Sequence, residues 1–246
     1  MPHYDFRTPR LYVDAPLTGA GDAALGRDQA NYLLNVLRLK RGDEILLFNG
    51  RDGEWRARLA GVGKRALSAE LIERVREQPP ASDLHFLFAP LKHARLDYLV
   101  QKAVEMGASR LQPVITRHTQ VARVNLERMR ANVIEAAQQC GIISLAEVAD
   151  PMDFAKATTN DGRLLIFCDE RADVQDPVAA LKAAPSGLPL SVLIGPEGGF
   201  AEEERAVLLK RGNVARIALG PRILRADTAA VAALALVQAV LGDWRT

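Results

Sequence analysis

The chain is poor in cysteine, in aromatic residues and in unbroken apolar sequence, and each shortage removes a class of function. Two cysteines, Cys140 and Cys168, stand far apart among 246 residues without C-x-x-C spacing. That argues against a disulfide scaffold and a structural zinc site, so no metal is expected, and it fits a reducing cytoplasm. Aromatics make up 5%, few for a stacking platform that reads single-stranded RNA base by base. The opening MPHYDFRTPR lacks the apolar core of a secretory signal. The most apolar run, Ala229 to Leu241, is too short to span a bilayer and contains Gln238. These features predict a soluble cytoplasmic protein without a membrane partner. A lopsided charge is missing too: 32 Lys and Arg against 30 Asp and Glu leave a formal +2, so any nucleic-acid role must rest on where the charges sit.

What is present suffices for one or two compact domains, since 48% of the residues are hydrophobic and 25% charged. The charges segregate. Residues 1–76 carry 13 basic and 10 acidic side chains, 92–130 carry 8 and 3, 131–204 carry 4 and 13, and 205–246 carry 7 and 2. Two readings fit: solvated faces that differ in sign, or a phosphate-binding track drawn from the first block and residues 92–130.

Short strands with turn punctuation fill residues 10 to 76: Arg10–Asp14, Glu44–Phe48, Trp55–Leu59 and Leu67–Leu71. Between Phe48 and Trp55, the pairs Asn49-Gly50 and Asp52-Gly53 supply the positive φ angles of a hairpin. A small β-barrel over 1–76 with one helix near Asp28–Leu37 is expected. Gln78-Pro79-Pro80-Ala81-Ser82 breaks both periodicities, placing a linker at 77–82. From 83 to 246, apolar strands alternate with helices: Leu84–Phe88, a helix near Arg95–Met106, Leu111–Ile115, a helix near Leu126–Cys140, Leu164–Phe167 and Ser191–Ile194. A helix near Glu202–Lys210, the strand Ala215–Leu219 and a helix near Thr228–Leu241 follow. The alternation predicts an α/β domain with a mostly parallel sheet covered on both faces. The last helix is apolar nearly all round, which requires burial on several sides, inside the domain or at a subunit interface.

Two strand-to-helix loops carry chemistry. The first, Gly195-Pro196-Glu197-Gly198-Gly199-Phe200, follows a buried strand, and its glycines let backbone approach a ligand at the carboxyl end of the sheet. The spacing is neither G-x-G-x-x-G nor a P-loop, and Glu202, Glu203 and Glu204 at the next helix start would repel a nucleotide phosphate. The second, Leu219-Gly220-Pro221-Arg222-Ile223-Leu224-Arg225-Ala226-Asp227-Thr228, sets two arginines around apolar residues, with Asp227 or Thr228 able to cap the following helix.

In this order, Leu193-Ile-Gly-Pro-Glu-Gly-Gly-Phe200 and Leu219-Gly-Pro-Arg-Ile-Leu-Arg225 with Thr228-Ala229 closely resemble the SPOUT superfamily of knotted methyltransferases, specifically the ribosomal RNA small-subunit (uracil-N3)-methyltransferase family, RsmE. Val36-Leu-Arg-Leu39, Leu47-Phe-Asn-Gly50, Gln101-Lys-Ala103 with Glu105 and Gly107, and Glu135-Ala-Ala-Gln-Gln-Cys140 support it, so the resemblance spans most of the chain. It implies a SPOUT-type trefoil-knotted parallel-sheet domain preceded by a PUA-like barrel, a homodimer, S-adenosyl-L-methionine (SAM) as methyl donor, and N3 methylation of one uridine in 16S rRNA or the small ribosomal subunit. The cofactor would then meet Leu193, Ile194, Gly195, Pro196, Glu197, Gly198, Gly199, Leu219, Gly220, Ile223, Leu224, Arg225 and Thr228. The chain departs from the family pattern at Asp227, where Glu is usual, at Asn31-Tyr32 in a histidine-rich stretch, and at Ile142 in place of Arg.

Methylation at N3 requires loss of its proton, and Arg225 or Arg222 is placed to stabilise charge developing on the uracil carbonyls. A paired N3 is hidden, so the target must be unpaired or flipped. His3, His85, His93 and His118 are scattered and none is convincingly placed as a base; each is expected to be a surface or packing residue, with His118, beside Arg117, the one exception to weigh. Glu197 is expected either to touch a ligand or to cap the next helix. The phosphate track would comprise Arg7, Arg10, Arg38 and Lys40 from the barrel and Lys92, Arg95 and Arg117 from the second domain. A ribose 2′-O-methyltransferase and an RNA-binding assembly protein with a vestigial pocket are the competing readings.

Overall fold

The computed structural model describes residues 5, 7–19, 21–62, 67–92, 94–121, 123–172 and 176–245. The chain forms two compact units. One holds the chain up to Ala81 together with Ile134–Leu145; the other holds Ser82–Val133 and the chain from Ala146 onward. The return of 134–145 to the first unit departs from the linear division read from the sequence.

In the first unit, β1 (Arg10–Tyr12), β2 (Asp22–Leu25), α1 (Arg27–Asn31), β3 (Glu44–Phe48), β4 (Glu54–Val62) and β5 (Leu67–Arg76) follow one another. Their five-stranded sheet has the order β1-β3-β4-β5-β2, parallel between β1 and β3 and antiparallel elsewhere. Alternation in β5 turns Leu67, Ala69 and Leu71 onto a core with Leu33, Ile45, Leu47 and Leu59. At the β3–β4 hairpin, Gly53 takes φ +82, and a Cβ there would lie 2.3 Å from the Arg76 carbonyl oxygen, so only glycine fits. The expected helix near Asp28–Leu37 is α1 followed by a π-helical turn, Tyr32–Val36. β2 reads DAAL, a poor strand former alone, and is held by its pairing with β5.

In the second unit, β6 (Leu84–Phe88), α2 (Ala94–Glu105), β7 (Arg110–Ile115), α3 (Leu126–Cys140), β8 (Glu147–Val148), β9 (Met152–Asp153) and α4 (Phe154–Ala157) come first. Next are β10 (Leu164–Cys168), α5 (Pro177–Ala183), β11 (Leu190–Ile194), α6 (Glu202–Lys210), β12 (Val214–Ile217) and α7 (Ala226–Val240). The last seven residues of α3 belong to the first unit, where Ala137 packs with Ile143 and Phe48 and the Gln138 side-chain oxygen accepts the Tyr12 N–H at 2.8 Å.

The sheet is parallel throughout, in the order β12-β10-β11-β6-β7-β8, with β9 beside β7. Phe167 and Leu193 form one core cluster with Phe154, Phe200 and Leu208. The final helix packs on α2, α5 and β11. Ala230, Ala233, Leu234 and Val237 are buried there, while Val231, Leu236 and Val240 stay half-buried. Gln238 is buried too: its amide donates to the Met106 carbonyl at 2.7 Å and its oxygen accepts the Asp243 N–H at 3.0 Å, which removes the cost of a polar group in an apolar helix. Among the described residues no helix is long and apolar enough to cross a membrane.

Candidate functional site

Because every strand of the second sheet points the same way, the loops after β6, β7, β10, β11 and β12 gather at its carboxyl edge. In the strand order β11 and β12 flank β10. The two sequence-marked loops therefore stand on either side of the end of β10, where Cys168 and Asp169 sit.

The first loop is built by packing. Leu193 and Ile194 are buried, and the Ile194 carbonyl accepts the Ala89 N–H at 3.0 Å. Neither side chain faces solvent, so these two expected cofactor residues support the loop from the sheet. Pro196 is buried. Gly199 turns the chain at φ +68, its N–H donating to the Pro196 carbonyl at 2.9 Å. Phe200 then carries it back into the core, edge-on to Phe167 at 5.3 Å and tilted on Phe154 at 6.0 Å. An added Cβ at Gly195 would lie 2.8 Å from the Phe200 ring, at Gly198 3.3 Å from the His118 Cβ, and at Gly199 3.0 Å from a Glu170 carboxylate oxygen.

Glu197 does not cap the next helix. It is exposed and pairs with Arg95 at 3.4 Å. The cap comes from Glu204, whose carboxylate accepts the Ala201 N–H at 2.9 Å and the Arg117 N–H at 2.8 Å. His118 reaches the same loop, its Nδ1 3.1 Å from the Gly199 carbonyl oxygen. His85 lies half-buried on β6, where burial, reinforced by Arg163 and Arg110, pushes its imidazole pKa below the ordinary value. His3 and His93 lie outside the described residues.

Asp169 joins what the two loops flank. It is 3% exposed. Its Oδ2 accepts Arg205 of α6 at 2.9 Å and Arg216 of β12 at 2.6 Å, and its Oδ1 accepts the Arg171 N–H at 3.0 Å. Burial alone would raise this carboxyl, but the hydrogen bonds from Arg205, the Arg171 N–H and Arg216 hold it below the ordinary carboxylate range. Burial, followed by the Asp169 charge, pushes the neighbouring Cys168 thiol up to about 12, which keeps it inert. Sequence reasoning missed Asp169; its signal is an acid directly ending an apolar parallel strand.

The second loop is open. Gly220, Arg222, Arg225 and Thr228 are exposed, Leu219 and Leu224 half-buried, and Ile223 is 92% exposed. Neither Asp227 nor Thr228 caps α7. The helix begins earlier, at Ala226, with Arg225 at the cap position, and the Asp227 carboxylate accepts the Thr228 N–H at 2.9 Å inside the first turn.

Of the expected phosphate ligands, Arg10 is withdrawn. Its side chain is 5% exposed and its Nε donates to buried Glu54 at 2.5 Å, so it is structural. In the first unit Arg7, Arg38 and Lys40 are exposed; in the second, Lys92 and Arg117 are exposed and Arg95 is half-buried against Glu197.

The fold and these loops define an α/β domain whose parallel sheet gathers its loops at one carboxyl edge, preceded in the chain by a small β unit. Its structure is similar to that of a ribosomal RNA small subunit methyltransferase E from Neisseria gonorrhoeae bound to S-adenosyl methionine, at a TM-score of 0.81 and 28% identity over 97% of this chain and 100% of the other. Proteins named ribosomal RNA small subunit methyltransferase E from Rickettsia conorii and Synechocystis sp. are 31% and 32% identical to it, over 93% and 95% of this chain and 94% and 76% of theirs. Residues 77–238 match the RNA methyltransferase domain and residues 25–72 the RNA methyltransferase PUA domain. The chain belongs to this RNA methyltransferase family.

Proposed function

We propose that the protein is a SAM-dependent methyltransferase acting on N3 of one uridine in 16S rRNA of the small ribosomal subunit, with the amino-terminal unit serving as its RNA-binding domain. The observation that carries this reading is the pair of glycine-proline loops flanking Asp169 at the carboxyl edge of a sheet that matches the RNA methyltransferase domain. SAM fits what the loops offer. Close backbone approach is available at Gly220, where an added Cβ would meet nothing within 4 Å. Ile223, with half-buried Leu219 and Leu224, gives an apolar wall for a purine. No phosphate cradle is needed, in keeping with Glu202, Glu203 and Glu204 at the start of α6.

SAM, when bound, supplies an electrophilic methyl group. The chain's residues must supply orientation and charge. Uracil N3 becomes a nucleophile by losing its proton, and the negative charge then spreads onto the flanking carbonyl oxygens. Arg222 and Arg225, both exposed beside the apolar wall, are the cations that would meet that charge. His118, held against the Gly199 carbonyl, is the nearest imidazole to the loop among the described residues and the candidate acceptor of the N3 proton. The trefoil knot and the homodimer belong to the same reading. In keeping with the first, the chain leaves the edge strand β12 and returns as α7 against β11 and α2, with β10 between β12 and β11 in the sheet. Supporting the second, the half-buried stripe Ala229, Ala232, Leu236 and Val240, three or four residues apart along one face, leaves apolar surface on α7 for a second copy. Calorimetric titration with SAM tests the reading: saturable one-site binding by the wild type supports it, and no detectable binding overturns it.

A further inference from the structure

A cleft of about 450 Å³ opens in the second unit between the start of α2 and the segment leading into α3. A shallower one of about 490 Å³ adjoins it, sharing Lys92 and Gln120 and reaching Glu197 of the glycine loop. The floor of the first is apolar: Leu91 and Met129 are buried, Leu96 and Val121 half-buried. The acids of both are already neutralised. Asp97 accepts Arg128 at 2.5 and 2.8 Å and Asn132 at 2.8 Å, and Glu197 pairs with Arg95. The exposed rim cations Lys92 and Arg123 have no carboxylate partner among the described residues. An apolar floor under two uncompensated cations suits a ligand that is flat and apolar in the middle and anionic at both ends. A nucleotide within a single strand, flanked by two phosphates, has that form.

We propose that this cleft seats a nucleotide of single-stranded RNA next to the uridine presented to the glycine loop. Its base lies on the floor of Leu91, Leu96, Val121 and Met129, its flanking phosphates meet Lys92 and Arg123, and the Gln120 amide, at the junction of the two clefts, faces the base edge with both a donor and an acceptor. The proposal rests on the function proposed above and adds the substrate side of the site. It also gives the basic excess of residues 92–130 a location.

Two variants test it, with fluorescein-labelled oligouridylate and transcribed 16S rRNA as probes, by fluorescence anisotropy across a salt series. Lys92→Ala with Arg123→Ala should weaken RNA binding roughly tenfold and reduce the log–log salt slope by about 1.4, the share of two phosphates on a single strand. Val121→Trp fills the cleft and keeps its charge, so it should weaken binding by about tenfold through lost base seating, with the slope unchanged. SAM affinity, measured separately by calorimetry, should stay at the wild-type value in both. Binding by both variants within twofold of wild type overturns the cleft, and so does a changed oligomeric state in light scattering, which makes it an interface between copies. If Val121→Trp melts early, the double variant alone decides, because both of its positions are exposed. A wild type that binds RNA through the cleft without binding SAM overturns the enzymatic reading and leaves the cleft standing.

Discussion

Replacing Asp169 should loosen both loops at once, since its single buried carboxylate ties the end of β10 to α6 and to β12. Removing one partner of a buried ion pair costs about 3–5 kcal/mol, because the other charge is left unpaired. Here the orphaned Arg205 and Arg216 side chains are 19% and 22% exposed and recover some hydration. The expected cost of Asp169→Ala is therefore about 2–3 kcal/mol, or a fall in melting temperature of about 4–12 °C for a chain of this size. The depressed carboxyl sets the pH dependence. A group whose pKa is lowered by folding stabilises above its unfolded value, near 3.9, and loses that contribution as pH falls through the folded value. The gap between wild type and variant should accordingly hold from neutral pH down to about pH 4 and close below it. Calorimetric melts across that range, with amide exchange on β10 and β12, measure both quantities. A variant that melts within a degree or so of wild type at neutral pH, with unchanged exchange at Arg216, refutes the clamp.

Gly199→Val should lose SAM affinity by about tenfold or more, because a β-branched residue at φ +68 is strained and its Cβ meets Glu170; titration of the folded variant checks it. Gly198→Ala should be milder, since its backbone is not left-handed and the added Cβ crowds the His118 Cβ by only a few tenths of an ångström. Arg10→Ala should lower stability by about 1–3 kcal/mol, because buried Glu54 loses one charged donor and keeps Arg76 at 3.4 Å, with RNA affinity close to wild type in anisotropy. Arg225→Ala should keep SAM binding within a few-fold and lower the single-turnover methylation rate by about a hundredfold, the usual weight of one charge-stabilising donor. Leu236→Glu should yield monomers in light scattering at micromolar concentration, because it sets an unpaired charge in the apolar stripe of α7.

Much of the α/β architecture was legible because its strands are apolar runs of four to six residues and its helices are long enough for their period to show. Leu84–Phe88, Leu126–Cys140 and Glu202–Lys210 fall where the pattern puts them. β8, β9 and α4 span two to four residues, too short for any period to register. The return of 134–145 to the first unit was hidden for another reason: α3 is one continuous amphipathic helix, and periodicity reports which residues are buried without reporting against what. Among the candidate site residues the glycines and exposed arginines stand out in the sequence as motifs. Arg10 was misjudged because sequence does not show that Glu54, forty-four positions later, lies beside it. Asp169 and Glu204 act through partners in other elements, and only the strand order brings those partners together.

The proposed reaction leaves a single methyl group on one base atom. Incubating the protein with isotopically labelled SAM and unmodified small subunits, then digesting the 16S rRNA and resolving the nucleosides by mass spectrometry, measures it directly. Label should appear in 3-methyluridine at one position, and Gly199→Val should reduce it at sub-saturating SAM. Label in a 2′-O-methylated ribose, or no label in RNA from a protein that binds SAM, would contradict the proposed reaction.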